Sequence, residues 1–172
     1  MWLSAAVLAA GVIIALAFHG RRPDPSFVGF QAAGVMLQIA PDAVTEVAVS
    51  QGERRWRFER AISTGWATVP GSPLGEGVAA RIDSGLRFLH ASAPQRVLQP
   101  EEVAATSPSE FGLEPPRYSV SVRSPAAAPF TIEFGALSPH GLAQYARVTG
   151  RAEIFLLPSF VGEQWESVMG AR

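Results

Sequence analysis

The chain has 172 residues, no cysteine and no lysine; all fourteen of its basic residues are arginine. Disulfides, thiolate chemistry, zinc–sulfur and iron–sulfur sites, a Schiff-base lysine and a P-loop lysine are therefore excluded. From residue 23 onward, twelve arginines stand against fifteen carboxylates, a formal charge of −3, opposite to the basic footprint of a nucleic-acid binder.

Residues 2–18 carry no charge and only one polar side chain, Ser4. As a helix they span about 26 Å, the short end of a bilayer core, so they read as a transmembrane anchor contacting lipid. Two other readings stay open. Ala15-Leu16-Ala17 fits a signal-peptide cleavage pattern, although no Arg or Lys precedes the apolar run. Arg21-Arg22 would hold the domain in the cytoplasm under the positive-inside rule. The domain division expected is 1–22 anchor, 23–42 linker and lead-in strand (Val35, Leu37 and Ile39 alternate), and 43–172 a β-rich domain.

Val47 and Val49, a Gln51-Gly52 turn, then Trp56 and Phe58 predict a hairpin with an apolar inner face. A short strand follows at 66–69, and 70–77 is loop. Val78, Ile82, Leu86 and Leu89 fall on one face of an amphipathic helix, with Arg81, Asp83 and Arg87 turned outward. Gly85 weakens that helix by about 1 kcal/mol relative to Ala. Residues 95–116 read as a connector with a short apolar piece at Val97-Leu98. Strands are then predicted around 118–122, 130–134, 145–148 and 153–157. A final helix, opened by Ser159, presents Val161, Trp165 and Val168 on one face. The fold class expected is α+β: a mostly antiparallel sheet with two packed helices, and strands-then-helix occurring twice as in a pseudo-repeat. Trp66, Ile82, Leu86, Ile132, Phe134 and Tyr145 are expected to share one core.

The chemistry-bearing residues are sparse. His19, His90 and His140 lack second ligands at metal spacing, so no metal site is expected. Glu101-Glu102 reads as the solvated start of a short helix rather than an acid–base pair. The Gly71–Gly77 stretch before the helix lacks the dinucleotide and P-loop fingerprints and contains Glu76, so it reads as a plain loop. No serine lies in a nucleophile elbow. No catalytic residue and no cofactor are assigned. The densest basic run, Arg54, Arg55, Arg57 and Arg60, is the one candidate interaction face, for anionic headgroups or an acidic partner; a solvated, carboxylate-paired strand face is its plainer reading.

Several short pieces carry more specificity in their order than singly: Gly65-Trp66, Leu86-Arg87-Phe88-Leu89, Arg96-Val97-Leu98, Phe111-Gly112-Leu113-Glu114-Pro115-Pro116, Ile132-Glu133-Phe134-Gly135 and Gly141–Arg147. This order resembles the uncharacterised bacterial family DUF4340, over residues 43–172. The chain departs from it in having Phe111 where tyrosine is usual. The resemblance implies a single-pass inner-membrane protein with a periplasmic domain, serving as an accessory subunit beside ABC-transporter components of the gliding-motility auxiliary type. It supplies no catalytic residues. Two functions are carried forward. The first is a non-enzymatic accessory subunit with an integral-membrane partner. The second is a periplasmic binding module for a small ligand or glycan in a cleft between the two halves.

Overall fold

The structure, a computed structural model, describes residues 33–61, 65–69 and 74–170. The predicted anchor and Arg21-Arg22 lie outside the described residues. Among the described residues, no helix is long and apolar enough to cross a membrane.

Alternating apolar and polar residues build eight strands: β1 (Glu46–Gln51), β2 (Arg54–Ala61), β3 (Gly65–Thr68), β4 (Arg96–Leu98), β5 (Tyr118–Ser124), β6 (Ala127–Leu137), β7 (Ala143–Val148) and β8 (Ile154–Pro158). They form one antiparallel sheet in the order β3-β2-β1-β5-β6-β7-β8-β4. Helices α1 (Val78–Ala91) and α3 (Ser159–Gly170) pack together over one face, and a third, short helix, α2 (Pro100–Val103), follows β4. The class is thus α+β, with three helices rather than two. Val97-Leu98, read as part of a connector, forms the edge strand β4 beside β8.

The central pairing of β1 with β5 runs from Glu46 opposite Arg123 to Ser50 opposite Ser119, centred on Ala48 and Ser121. Turning the sheet about that centre lays β1 on β5, β2 on β6 and β3 on β7. The same operation places Phe58 on Ile132 and Thr68 on Val148. Arg60 and Trp66 of the first half fall on Phe134 and Ala146 of the second. The charged and indole pair of one half thus stands where the other half has an apolar pair.

The core lies between sheet and helices. Val47, Val49, Phe58, Trp66, Tyr118, Val120, Ile132 and Phe134 of the sheet share one buried cluster with the predicted helix face of Val78, Ile82, Leu86 and Leu89 and with Val161, Trp165 and Val168 of α3. Five of the six expected core residues are in this cluster. Tyr145 is not: Gln144 and Ala146 point inward, and the period of two turns Tyr145 to the opposite face. There its ring centroid lies 5.0 Å from that of Phe111.

The lead-in residues also depart from expectation. Residues 33–40 form no strand. They lie across the C-terminal end of α1, where Gly34 and Met36 donate backbone N–H groups to His90 and Leu89 carbonyls, each at 3.0 Å. Val35, Met36 and Ile39 are buried, and Leu37, the middle of the supposed alternation, is exposed. The core therefore includes residues N-terminal to position 43.

Candidate functional site

The outer face of the sheet is polar and internally paired. Glu46 lies between Arg57 (3.3 Å) and Arg123 (3.4 Å), and Arg147 between Glu133 (2.8 Å) and Glu114 (3.5 Å). Part of the family-like order, residues 111–114 with Gly135, Tyr145 and Arg147, meets here in space. Phe111 rests on Tyr145, Glu114 pairs with Arg147, and Leu113 is buried where the 3-10 turn Pro108–Phe111 crosses over Gly135. Gly112 ends that turn in the left-handed region, at φ 66°. Their role in the described structure is to cover the sheet.

The four arginines of the candidate face do not share one. Arg55 and Arg57 stand on the outer face; Arg54 and Arg60 have the opposite parity. Arg54 and Arg55 are exposed, Arg57 is held by Glu46, and Arg60 turns toward α1. Glu101 and Glu102 open α2 as expected. Glu102 caps the helix by accepting from the Gln99 backbone N–H and pairs with Arg96, and both contacts hold its carboxyl below the usual carboxylate range. His140 is exposed in its turn. Among the described residues, no group of three or more His, Asp or Glu side chains is arranged to hold a metal.

The most differentiated constellation lies where β2, β3 and α1 meet. Arg60 Nη2 donates to Asp83 Oδ1 at 2.7 Å, and Trp66 Nε1 donates to the same oxygen at 2.9 Å. The Arg60 guanidinium lies 4.6 Å from the Trp66 ring centroid, a cation–π stack. Arg60 Nη2 also reaches the Pro41 carbonyl at 3.3 Å, while its Nε is buried without an acceptor among the described residues. Two adjoining cavities flank the pair. One, of about 400 Å³, is lined by Val44, Gly65, Trp66 and Ala79 together with Asp42 and Asp83. The other, of about 310 Å³, is lined by Pro41, Asp42, Arg60, Asp83 and Arg87. The expected cleft between the halves is thus not where this space lies; it belongs to the first half.

Asp83 and Arg87 read from sequence as an outward helix face, but both line this space, and Asp42 was missed. The available signal was Arg60: it shares the inward parity of Trp56 and Phe58, and a charge at such a position requires a partner.

A second surface feature lies at the far end of α1. Leu142 is 69% exposed, Phe160 46% and Leu137 45%. Leu142 accepts the Ser159 N–H beside Phe160, Phe160 meets the Phe88 ring edge-on at 5.1 Å, and Leu137 pairs across from Gln144, two residues from Leu142.

No protein-family model, curated protein or solved structure matches the chain.

Proposed function

We propose that this protein is a non-enzymatic accessory subunit held in the bacterial inner membrane by residues 2–18, with its α+β domain in the periplasm and an integral-membrane protein as partner. The resemblance to DUF4340 supports the ABC-transporter setting. The observation that carries the interaction reading is the grouping of Leu137, Leu142, Phe160 and Phe88 at one end of the domain. Large apolar side chains scattered singly are ordinary on a protein surface, whereas grouped ones mark a contact. The polar, internally paired sheet face is the contrasting surface. We read the matched register of the two halves as an internal duplication, in which the first half has acquired Arg60 and Trp66.

The test is site-specific photo-crosslinking in membranes, with the probe replacing Leu142 and, as control, Ala126 at the β5–β6 turn. A discrete adduct with one membrane protein from position 142 alone is expected. Equal labelling from both positions, or none from either, overturns the reading.

A second reading, a module that binds a small ligand, is favoured by the paired cavities around Arg60 and Asp83. A concave site with a few converging polar groups beside apolar lining is the usual form of a small-molecule site.

A further inference from the structure

The geometry points to a compact zwitterion, an ammonium and a carboxylate in one small molecule of the amino-acid class, as the ligand of the cavity between Asp42 and Arg87. The inference rests on the small-ligand reading above and names its chemistry.

The cavity of about 310 Å³ has four charged side chains in its wall, two of each sign: Asp42, Asp83, Arg60 and Arg87. Arg60 and Asp83 are committed to each other at 2.7 Å. Asp42 and Arg87 face the same space yet, among the described residues, neither has a hydrogen-bond or ion-pair partner. Both are exposed and stand on different elements. Asp42 sits in the 3-10 turn Pro41–Ala43, which opens on a proline, and Arg87 in the third turn of α1.

Charge balance selects the ligand. A lone anion entering this space is drawn by two guanidinium groups and repelled by two carboxylates, and a lone cation meets the reverse. Neither gains much. A molecule carrying both signs a few ångströms apart satisfies Asp42 and Arg87 together. It also has the free edge of the Arg60–Asp83 pair beside it. Charge-assisted hydrogen bonds of this type are the stronger ones. The adjoining cavity of about 400 Å³, with Val44, Trp66 and Ala79 in its wall, leaves room for an apolar substituent. A glycan suits the site less well. Trp66 is 5% exposed and one face of its ring is taken by Arg60, so it offers no stacking platform.

The experiment is thermal unfolding of the detergent-solubilised full chain, titrated with glycine, leucine, 4-aminobutyrate and 6-aminohexanoate. Acetate alone, methylammonium alone and glucose are the comparisons. At least one of the zwitterions is expected to raise the melting temperature saturably, with acetate and methylammonium without effect. Asp42→Asn and Arg87→Gln, which remove no internal contact, should each weaken the response at least about tenfold, as loss of one charged hydrogen bond does. A response to acetate or methylammonium alone equal to that of the zwitterions overturns the inference, as does a zwitterion response that both variants retain. A response to glucose alone overturns it while leaving the small-ligand reading standing. Silence across the whole panel removes both.

Discussion

Trp165 lies on Gly85: a Cβ built on that glycine would meet the indole Cε2 and Cζ2 at 2.8 Å. This contact joins α3 to α1, and Gln164 Nε2 donating to the Arg81 carbonyl at 3.0 Å supports it. It explains a glycine in mid-helix that propensity alone disfavours. Gly85→Ala would gain about 1 kcal/mol in helix propensity. It would also drive a methyl into a fully buried indole. Overpacking of this kind costs about 1–3 kcal/mol. The variant is expected to melt below the parent, and Gly85→Ala with Trp165→Phe to recover part of the loss. An increase in melting temperature in the single variant would show that the helices separate freely.

Tyr118 leads to a prediction about alkaline pH. Its hydroxyl is buried and donates to the Gly162 carbonyl at 3.0 Å, with Gln144 Oε1 at 3.4 Å. Burial is the main cause that pushes its phenol well above the usual tyrosine value of 10.0, with nearby Glu166 adding to it. The folded chain therefore keeps this proton while the unfolded chain releases it. Stability is full below about pH 10 and falls as pH rises beyond it, by about 1.4 kcal/mol per pH unit for one proton. The chain has no lysine or cysteine and only two tyrosines, so few other side chains titrate in that window. Denaturant melts from pH 8 to 11 should show a plateau and then a decline. Tyr118→Phe should be less stable at pH 8, by about 0.5–1.5 kcal/mol for the lost hydrogen bond, with a flatter alkaline limb. An unchanged limb would assign the decline to other groups.

What was legible in the sequence followed short-range periodicity. The 3.6-residue pattern of α1 and the alternation in β1, β2, β5 and β6 fix which side chains face inward, because each is a local rule. Strand β7 was misphased because Gln144 reads as polar and Ala146 as neutral. What makes Gln144 tolerable inside is its hydrogen bond to the Gly135 carbonyl and its contact with Tyr118, both on other strands. The candidate site failed for the same reason. Arg60 announces an inward charge, but its partners come from a 3-10 turn and a helix whose proximity is purely tertiary.

The lead-in segment gives a truncation test. Val35, Met36 and Ile39 are each at most 3% exposed. Burying an apolar side chain of this size contributes about 1.5–3 kcal/mol, and a domain has about 5–15 kcal/mol in all. A chain beginning at residue 33 is expected to fold, and one beginning at residue 43 to lose most or all of its cooperative melting transition. Circular dichroism of the two purified fragments checks this. Equal melting curves would mean that the segment merely rests on the domain.

The final prediction contrasts a core residue with residues in solvent. Leu86 is fully buried on α1, within the cluster that includes Trp66 and Ile82. Leu86→Ala should lose about 2–5 kcal/mol, through lost transfer free energy and the cavity left behind. Glu101 and His140 are exposed and have no buried contact to lose. Their alanine variants should stay within about 0.5 kcal/mol of the parent, the usual range for surface sites. Glu102 differs from them because it caps the short helix α2 and holds Arg96. Its replacement by alanine should loosen α2 and the neighbouring edge strand β4 without lowering the global transition measurably. Hydrogen exchange reads that difference directly. Faster exchange confined to residues near 96–104 in Glu102→Ala is expected, against faster exchange throughout the sheet in Leu86→Ala. Uniform acceleration in Glu102→Ala would show that α2 is coupled to the core rather than lying outside it.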